Sequence, residues 1–163
     1  MKTKKVLFVC MGNICRSPSA EAIMKKYVAD KNLSNSIQVD SAGTIDYHEG
    51  ELADKRMIKH ASERGFSLDS IARSFNPNND FNEFDYIVTM DDENYIDIKA
   101  MDLQNKFDNR IFKMTDFSTR YNVDSIPDPY YKGTAGFEEV LDLLEDAVDG
   151  LLKKIEQDAG QVT

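Results

Sequence analysis

The chain has no tryptophan, only two cysteines, two histidines and four prolines in 163 residues. Long apolar runs are missing as well, and each shortage removes a class of protein. With no window approaching ~18 apolar residues, no membrane-spanning helix is expected. Cys10 and Cys15 stand too close together to staple distant parts of a fold, and one cysteine pair with two remote histidines, His48 and His60, is a poor zinc set. Positive charge is scarce: 20 Lys and Arg face 29 Asp and Glu, for a formal charge of −9. That balance excludes a general binder of nucleic acid or of anionic membrane. Any anionic ligand has to be held locally.

What is present, 41% apolar and 30% charged residues in 18.5 kDa, suits one compact domain with a sizeable core. The charge is uneven. Residues 1–33 carry seven Lys and Arg against two Asp and Glu, whereas residues 134–163 carry two against eight. The one basic stretch is therefore the N-terminal one. Its lysines, followed by Val6-Leu7-Phe8-Val9-Cys10-Met11, resemble the start of a secretory signal, but Gly12, Asn13, Arg16 and Pro18 interrupt the apolar run too early. A cytoplasmic protein is expected.

Lys4–Val9 reads as a buried strand, with β-branched and aromatic residues and no punctuation. A helix follows, with Ser17 as its cap and Pro18 in the position of a first helical residue, running to about Lys31. Further strands are expected at Ile37–Ala42, Asp85–Met90 and Arg110–Lys113, with helices at about 52–64 and 93–101. The segment 117–133 reads as a loop. Phe137, Val140, Leu141, Leu144, Val148, Leu151 and Ile155 then form one apolar stripe on a long packing helix. Strands alternating with helices, without repeats, indicate a single α/β domain: about four strands in a mainly parallel twisted sheet flanked by helices. The domain is expected to span 1–157, with 158–163 a frayed tail.

Chemistry concentrates between the first strand and the first helix, where doubly wound domains bind ligands. Cys10-Met11-Gly12-Asn13-Ile14-Cys15-Arg16-Ser17, folded back at a helix N-terminus, would aim consecutive backbone N–H groups inward as an anion-binding nest. Gly12 and Asn13 tolerate the positive φ such a reversal requires. Arg16 adds a planar fork able to grip two phosphoryl oxygens. The same field favours the thiolate of Cys10, the nucleophilic form of a cysteine, and Ser17 is placed to donate a hydrogen bond to its sulfur. Neither the nucleotide-binding pattern G-x-x-x-x-G-K-[ST] nor G-x-G-x-x-G is present here. In-line displacement at phosphorus requires a general acid from elsewhere in the chain, and Asp128 is the candidate: Pro127 and Pro129 stiffen its backbone, and Tyr130-Tyr131 supply aromatic walls.

The loop Cys10–Ser17 with Pro18, together with Asp128-Pro129-Tyr130-Tyr131, resembles the low-molecular-weight protein tyrosine phosphatase family. The likeness runs from Val6-Leu7-Phe8-Val9 through Asp40-Ser41-Ala42-Gly43-Thr44 and Phe84-Asp85-Tyr86-Ile87-Val88-Thr89-Met90-Asp91 to the last helix. It implies that Cys10 forms a phosphocysteine, that Arg16 binds the phosphoryl group and stabilises its transition state, and that Asp128 protonates the leaving phenol and then activates water. Asn13 and Ser41 match positions that brace the loop. Tyr47, Tyr130, Tyr131 and Met11 match a cleft for a phosphotyrosine ring, with Gly12, Ile14 and Cys15 in the phosphate-binding stretch. Cys15 matches a second loop cysteine able to form a disulfide with an oxidised nucleophile; both thiols are expected reduced in the resting protein.

The resemblance implies phosphotyrosine proteins or peptides as substrates, phosphate and vanadate as inhibitors, no cofactor, no metal, no nucleic acid and no membrane insertion. One departure is visible: Ser70-Ile71-Ala72-Arg73 stands where many relatives carry His-x-Ala-Arg. Arsenate reductases on this scaffold need a further downstream cysteine, and none follows Cys15. Phosphoarginine phosphatases carry Thr where Ile14 stands, so Ile14 with Tyr130-Tyr131 favours phosphotyrosine. A phosphate-binding module without turnover would need neither thiolate nor acid.

Overall fold

The computed structural model describes residues 2–160. Four strands, β1 (Lys4–Cys10), β2 (Ile37–Gly43), β3 (Tyr86–Thr89) and β4 (Ile111–Lys113), pair in the order β2-β1-β3-β4. Every pairing is parallel, in the register Cys10↔Gly43, Val6↔Tyr86 and Ile87↔Ile111. The chain leaves β1 toward one neighbour and later returns to its other side. Loops at the carboxyl ends of β1 and β3 are thereby placed at the topological switch point, where such sheets open a crevice.

Alternation along β1 explains why both faces are covered. Val6, Phe8 and Cys10 join the larger apolar cluster, with residues of α1 (Arg16–Asp30) and α5 (Thr134–Gly160). Leu7 and Val9 face the smaller one, with Phe75, Phe81, Phe84 and Ile98. A strand buried on both sides has no polar positions to offer, which is why 6–9 reads as an unbroken apolar run, while Lys4 and Lys5 lie at its partly exposed start. The remaining helices are α2 (Lys55–Glu63), α3 (Asp80–Glu83) and α4 (Asp92–Met101), and 3₁₀ turns occupy Asp108–Arg110 and Met114–Phe117.

Several boundaries differ from the sequence reading. Helix α1 begins at Arg16, with Cys15 in the capping position and no side-chain cap, so Ser17 lies inside the helix and Pro18 in its first turn. Residues 16–24 are all buried; a helix surrounded by protein at its start shows no amphipathic signal to mark where it begins. Helix α2 starts at Lys55 instead of 52, because the Asp54 carboxylate accepts from the N–H groups of Arg56 and Met57 and fixes the first turn there. Leu52 instead bridges Ile71. The tail expected at 158–163 is helical through Gly160, tied by Lys154–Asp158 and by the Tyr86 hydroxyl on Asp158; residues 161–163 lie outside the described residues. Near the middle of α5, a Cβ on Gly150 would sit 2.0 Å from the Phe117 carbonyl oxygen, so only glycine allows the helix this close to the turn at 114–117. Among the described residues, no helix is long and apolar enough to cross a membrane.

Candidate active site

The loop after β1 is organised by its carbonyls. Those of Cys10, Met11 and Ile14 accept from the N–H groups of Thr44, Ile45 and Asp54 at 2.9, 3.1 and 2.8 Å. With the carbonyls engaged by the surrounding shell, the N–H groups of residues 11–15 have no protein acceptor among the described residues. Such a row of free donors, leading into a helix N-terminus, has the makings of an anion nest. Asn13 alone in this loop adopts positive φ, at 58°. Gly12 does not. Its reason is space: a Cβ there would meet the His48 ring at 3.0 Å.

Side chains of Asn13, Ser17 and Ser41 form a directed hydrogen-bond chain behind the loop. The Asn13 amide is fully used: its oxygen accepts from the Arg73 N–H at 3.0 Å, and its nitrogen donates to Ser17 Oγ at 2.8 Å and to Ser41 Oγ at 2.9 Å. The Ser41 hydroxyl in turn donates a hydrogen bond to the buried Glu21 carboxylate at 2.6 Å. Ser17, already accepting from Asn13, has its proton free for the Cys10 sulfur 3.0 Å away, with the Ala42 carbonyl a longer alternative at 3.5 Å. The bond directions thus converge on a donor aimed at sulfur, the polarity that stabilises a thiolate. Arg73 enters this chain through its backbone, while its guanidinium bonds Asp40 and Asp80, so the bracing does not pass through Ser70.

Arg16 is buried, its Nη1 donating to Asp91 Oδ2 at 2.7 Å and to the Ile126 carbonyl at 3.0 Å. Its Nη2 faces Asp128 Oδ2 at 3.8 Å. Burial works against its charge, but the Cys10 sulfur, Asp91 and Asp128 outweigh it and hold the guanidinium above the ordinary arginine value. It is a fixed cation. Cys15, by contrast, is pushed far up, first by burial and then by the charges of Asp54, Cys10 and Asp128, so it stays a neutral thiol. Both cysteines are free.

These groups open into one cavity of about 310 Å³, lined by Cys10, Arg16 and Asp128 together with loop residues Met11, Gly12, Ile14 and Cys15 and a rim of Ile45, Tyr47, His48, Tyr130 and Tyr131. A larger hollow of about 570 Å³ beside α1 and α5 is lined by Asp30, Asp142, Asp146 and Asp149, with neither cysteine. Of the residues singled out from the sequence, Cys10, Met11, Gly12, Ile14, Cys15, Arg16, Tyr47, Asp128, Tyr130 and Tyr131 line the cavity. Ser17, Asn13 and Ser41 support it from behind. Tyr131 is 95% and Tyr47 79% exposed, so both stand as rim posts.

Sequence reasoning missed Asp91, Glu21, Ile45 and His48 as parts of this site. Asp91 carries a usable signal, an acid ending the third strand where the crevice must lie. It also caps α4, accepting from the Asn94 N–H at 2.8 Å. His48 stacks edge-on against Tyr47 at 4.8 Å and is bonded to Glu51 at 3.0 Å, which no local pattern announces.

Fold and site together define a doubly wound α/β protein whose loop after β1, with its N–H groups unpaired among the described residues, is followed by a buried arginine and preceded by a buried cysteine, both lining a cavity with an aspartate from a distant loop. The family model described as Low molecular weight phosphotyrosine protein phosphatase matches residues 5–161, and the chain belongs to that family of enzymes. A crystal structure of a protein tyrosine phosphatase from Entamoeba histolytica superposes with a TM-score of 0.93 at 46% identity, covering 96% of this chain and 99% of that one. The low molecular weight protein-tyrosine-phosphatase YfkJ of Bacillus subtilis is 37% identical over 153 residues, 94% of this chain and 96% of its own length. A Drosophila arginine phosphatase is also similar, with a TM-score of 0.85 at 32% identity over 95% and 98% of the two chains.

Proposed function

We propose that this chain hydrolyses phosphotyrosine in proteins or peptides through a phosphocysteine at Cys10. The carrying observation is the convergence of Cys10, Arg16 and Asp128 on one cavity beneath an aromatic rim. The phosphoryl group sits in the nest of residues 11–16, gripped by the free N–H groups and the Arg16 fork. The Cys10 thiolate, hydrogen-bonded by Ser17, attacks phosphorus as the P–O bond to the phenol breaks, and Asp128 gives its proton to the leaving oxygen. Water then loses a proton to the Asp128 carboxylate and attacks the phosphocysteine; the P–S bond breaks, phosphate leaves and Ser17 receives the returning thiolate. Arg16 holds the equatorial oxygens through both transfers, its own position fixed by Asp91 and the Ile126 carbonyl.

Met11, Tyr47, Tyr130 and Tyr131 provide apolar surface for the substrate ring, and Ile14 lines the cavity without a hydroxyl, which favours an aryl over a guanidinium phosphate. The protein acts in the cytoplasm, with phosphate and vanadate as competitive inhibitors. In the test, Cys10→Ser lowers turnover of a phosphotyrosine peptide by about ten-thousandfold or more, while vanadate or phosphate binding measured by calorimetry persists. Substantial turnover in Cys10→Ser would remove the covalent mechanism. Higher kcat/KM on phosphoarginine than on phosphotyrosine peptides would replace the substrate assignment.

A further inference from the structure

The acid-bearing segment has no regular secondary structure from residue 118 to 133, so something outside it must hold Asp128. The aspartate is oriented locally: its Oδ1 accepts from the Tyr130 N–H at 3.0 Å, which leaves Oδ2 toward Arg16. Whatever fixes Tyr130 therefore fixes the carboxyl. The Tyr130 ring lies 5.3 Å from the Arg56 guanidinium, and the same guanidinium lies 4.8 Å from the ring of Phe137, which is itself 1% exposed. Arg56 is thus interleaved between a core aromatic of α5 and the residue that orients the acid.

Its own position is over-determined. Nε and Nη2 bond Asp54 Oδ1 and Oδ2 at 3.1 and 2.8 Å, a planar two-point pairing that lysine cannot reproduce. The Asp54 N–H in turn donates to the Ile14 carbonyl of the phosphate loop at 2.8 Å. Two links therefore run from one short stretch of chain, one to the loop that holds phosphate and one to the segment that carries the acid. Arg56 does not line the cavity.

We infer that Arg56 is a positioning residue for proton transfer: by bridging the Tyr130 ring to the Phe137 platform, it keeps the Asp128 carboxyl in register with the phosphate loop. This inference rests on the functional reading above. Its expected signature is selective, because a misplaced acid harms only reactions that need the leaving oxygen protonated. Phosphotyrosine expels a weakly acidic phenol, whereas para-nitrophenyl phosphate expels a stable phenolate and needs little help.

The experiment compares kcat/KM for both substrates in the wild type, Arg56→Leu, Arg56→Lys, Asp128→Ala and the Asp128→Ala/Arg56→Leu double variant. Arg56→Leu is expected to lose about tenfold or more on phosphotyrosine and less than about threefold on para-nitrophenyl phosphate. Arg56→Lys keeps the charge without the planar stack or the two-point pairing and is expected to fall between. In the Asp128→Ala background, Arg56→Leu is expected to add almost nothing on phosphotyrosine, since no acid remains to be positioned. Equal losses on the two substrates, or full additivity with Asp128→Ala, would overturn the inference. Turnover retained in a parallel Cys10→Ser sample would instead strike the covalent reading. Should Arg56→Leu unfold, Arg56→Lys carries the same comparison, and an unselective loss there would overturn the proposal.

Discussion

Asn13 combines two demands in one buried side chain. Its backbone stands at φ 58°, a region that asparagine enters more readily than most residues, and its amide makes three hydrogen bonds that tie together β2, α1 and the segment at Arg73. The two demands separate by substitution. Asn13→Gly keeps the backbone conformation and loses the bonds, leaving buried donors and acceptors unpaired at a cost of about 1–3 kcal/mol. Asn13→Ala loses the bonds and adds a left-handed penalty of about 1–2 kcal/mol. Melting temperatures are therefore expected in the order wild type, Gly, Ala, each kcal/mol moving the midpoint by about 2–4 °C. Indistinguishable midpoints for Gly and Ala would show that backbone strain is not part of the role of Asn13. Gly12 teaches the opposite lesson about reading a loop: its residue type suggested a reversal of the chain, whereas it is a gap kept open for His48.

At the scale of elements, α5 is a packing helix that also anchors the acid-bearing side of the molecule. Asp146 on that helix accepts from the Thr119 N–H and hydroxyl and from the Arg120 N–H, at 3.0, 2.7 and 3.1 Å. Burial alone would raise its carboxyl, but those hydrogen bonds outweigh it and hold the group below the ordinary carboxylate range. A carboxyl depressed in the fold contributes stability that is complete above its unfolded value near ~4. That stability is lost as pH falls through the lower folded value. Asp146→Ala is expected to cost about 2 kcal/mol at neutral pH, and the gap to wild type is expected to shrink below pH ~4. A gap that stayed constant down to pH ~2 would exclude the ionised form as the source. The strands and this helix were legible in the sequence because each buries a regular stripe or run. The first turns of α1 and α2 were not: one is enclosed by protein on every side, and the other is set by the Asp54 carboxylate rather than by apolar spacing. Cys10, Arg16 and Asp128, which line one cavity, were singled out by the chemistry of their sequence neighbours. Glu21, Asp91 and Arg56 matter through partners 20 to 81 positions away, Ser41, Arg16 and Phe137, and no window of neighbours shows that.

For the molecule as a whole, a formal charge of −9 is compatible with the proposed anion site, because the Arg16 cation is buried and the remaining donors are backbone dipoles. The long-range field then acts on the rest of the substrate. Phosphotyrosine peptides flanked by lysine are expected to show higher kcat/KM than those flanked by glutamate, with the ratio collapsing toward one between ~0.02 and ~0.5 M salt as screening shortens its reach. A ratio insensitive to salt would point to direct contacts instead. The free N–H groups of residues 11–15 carry a different consequence. A grip made from main chain belongs to no particular side chain, so substitutions at Met11 and Ile14 are expected to change the preferred substrate more than the hold on phosphate. Within that row of donors, a change that reaches the backbone itself, such as a proline that deletes one of them, would be expected to loosen the hold.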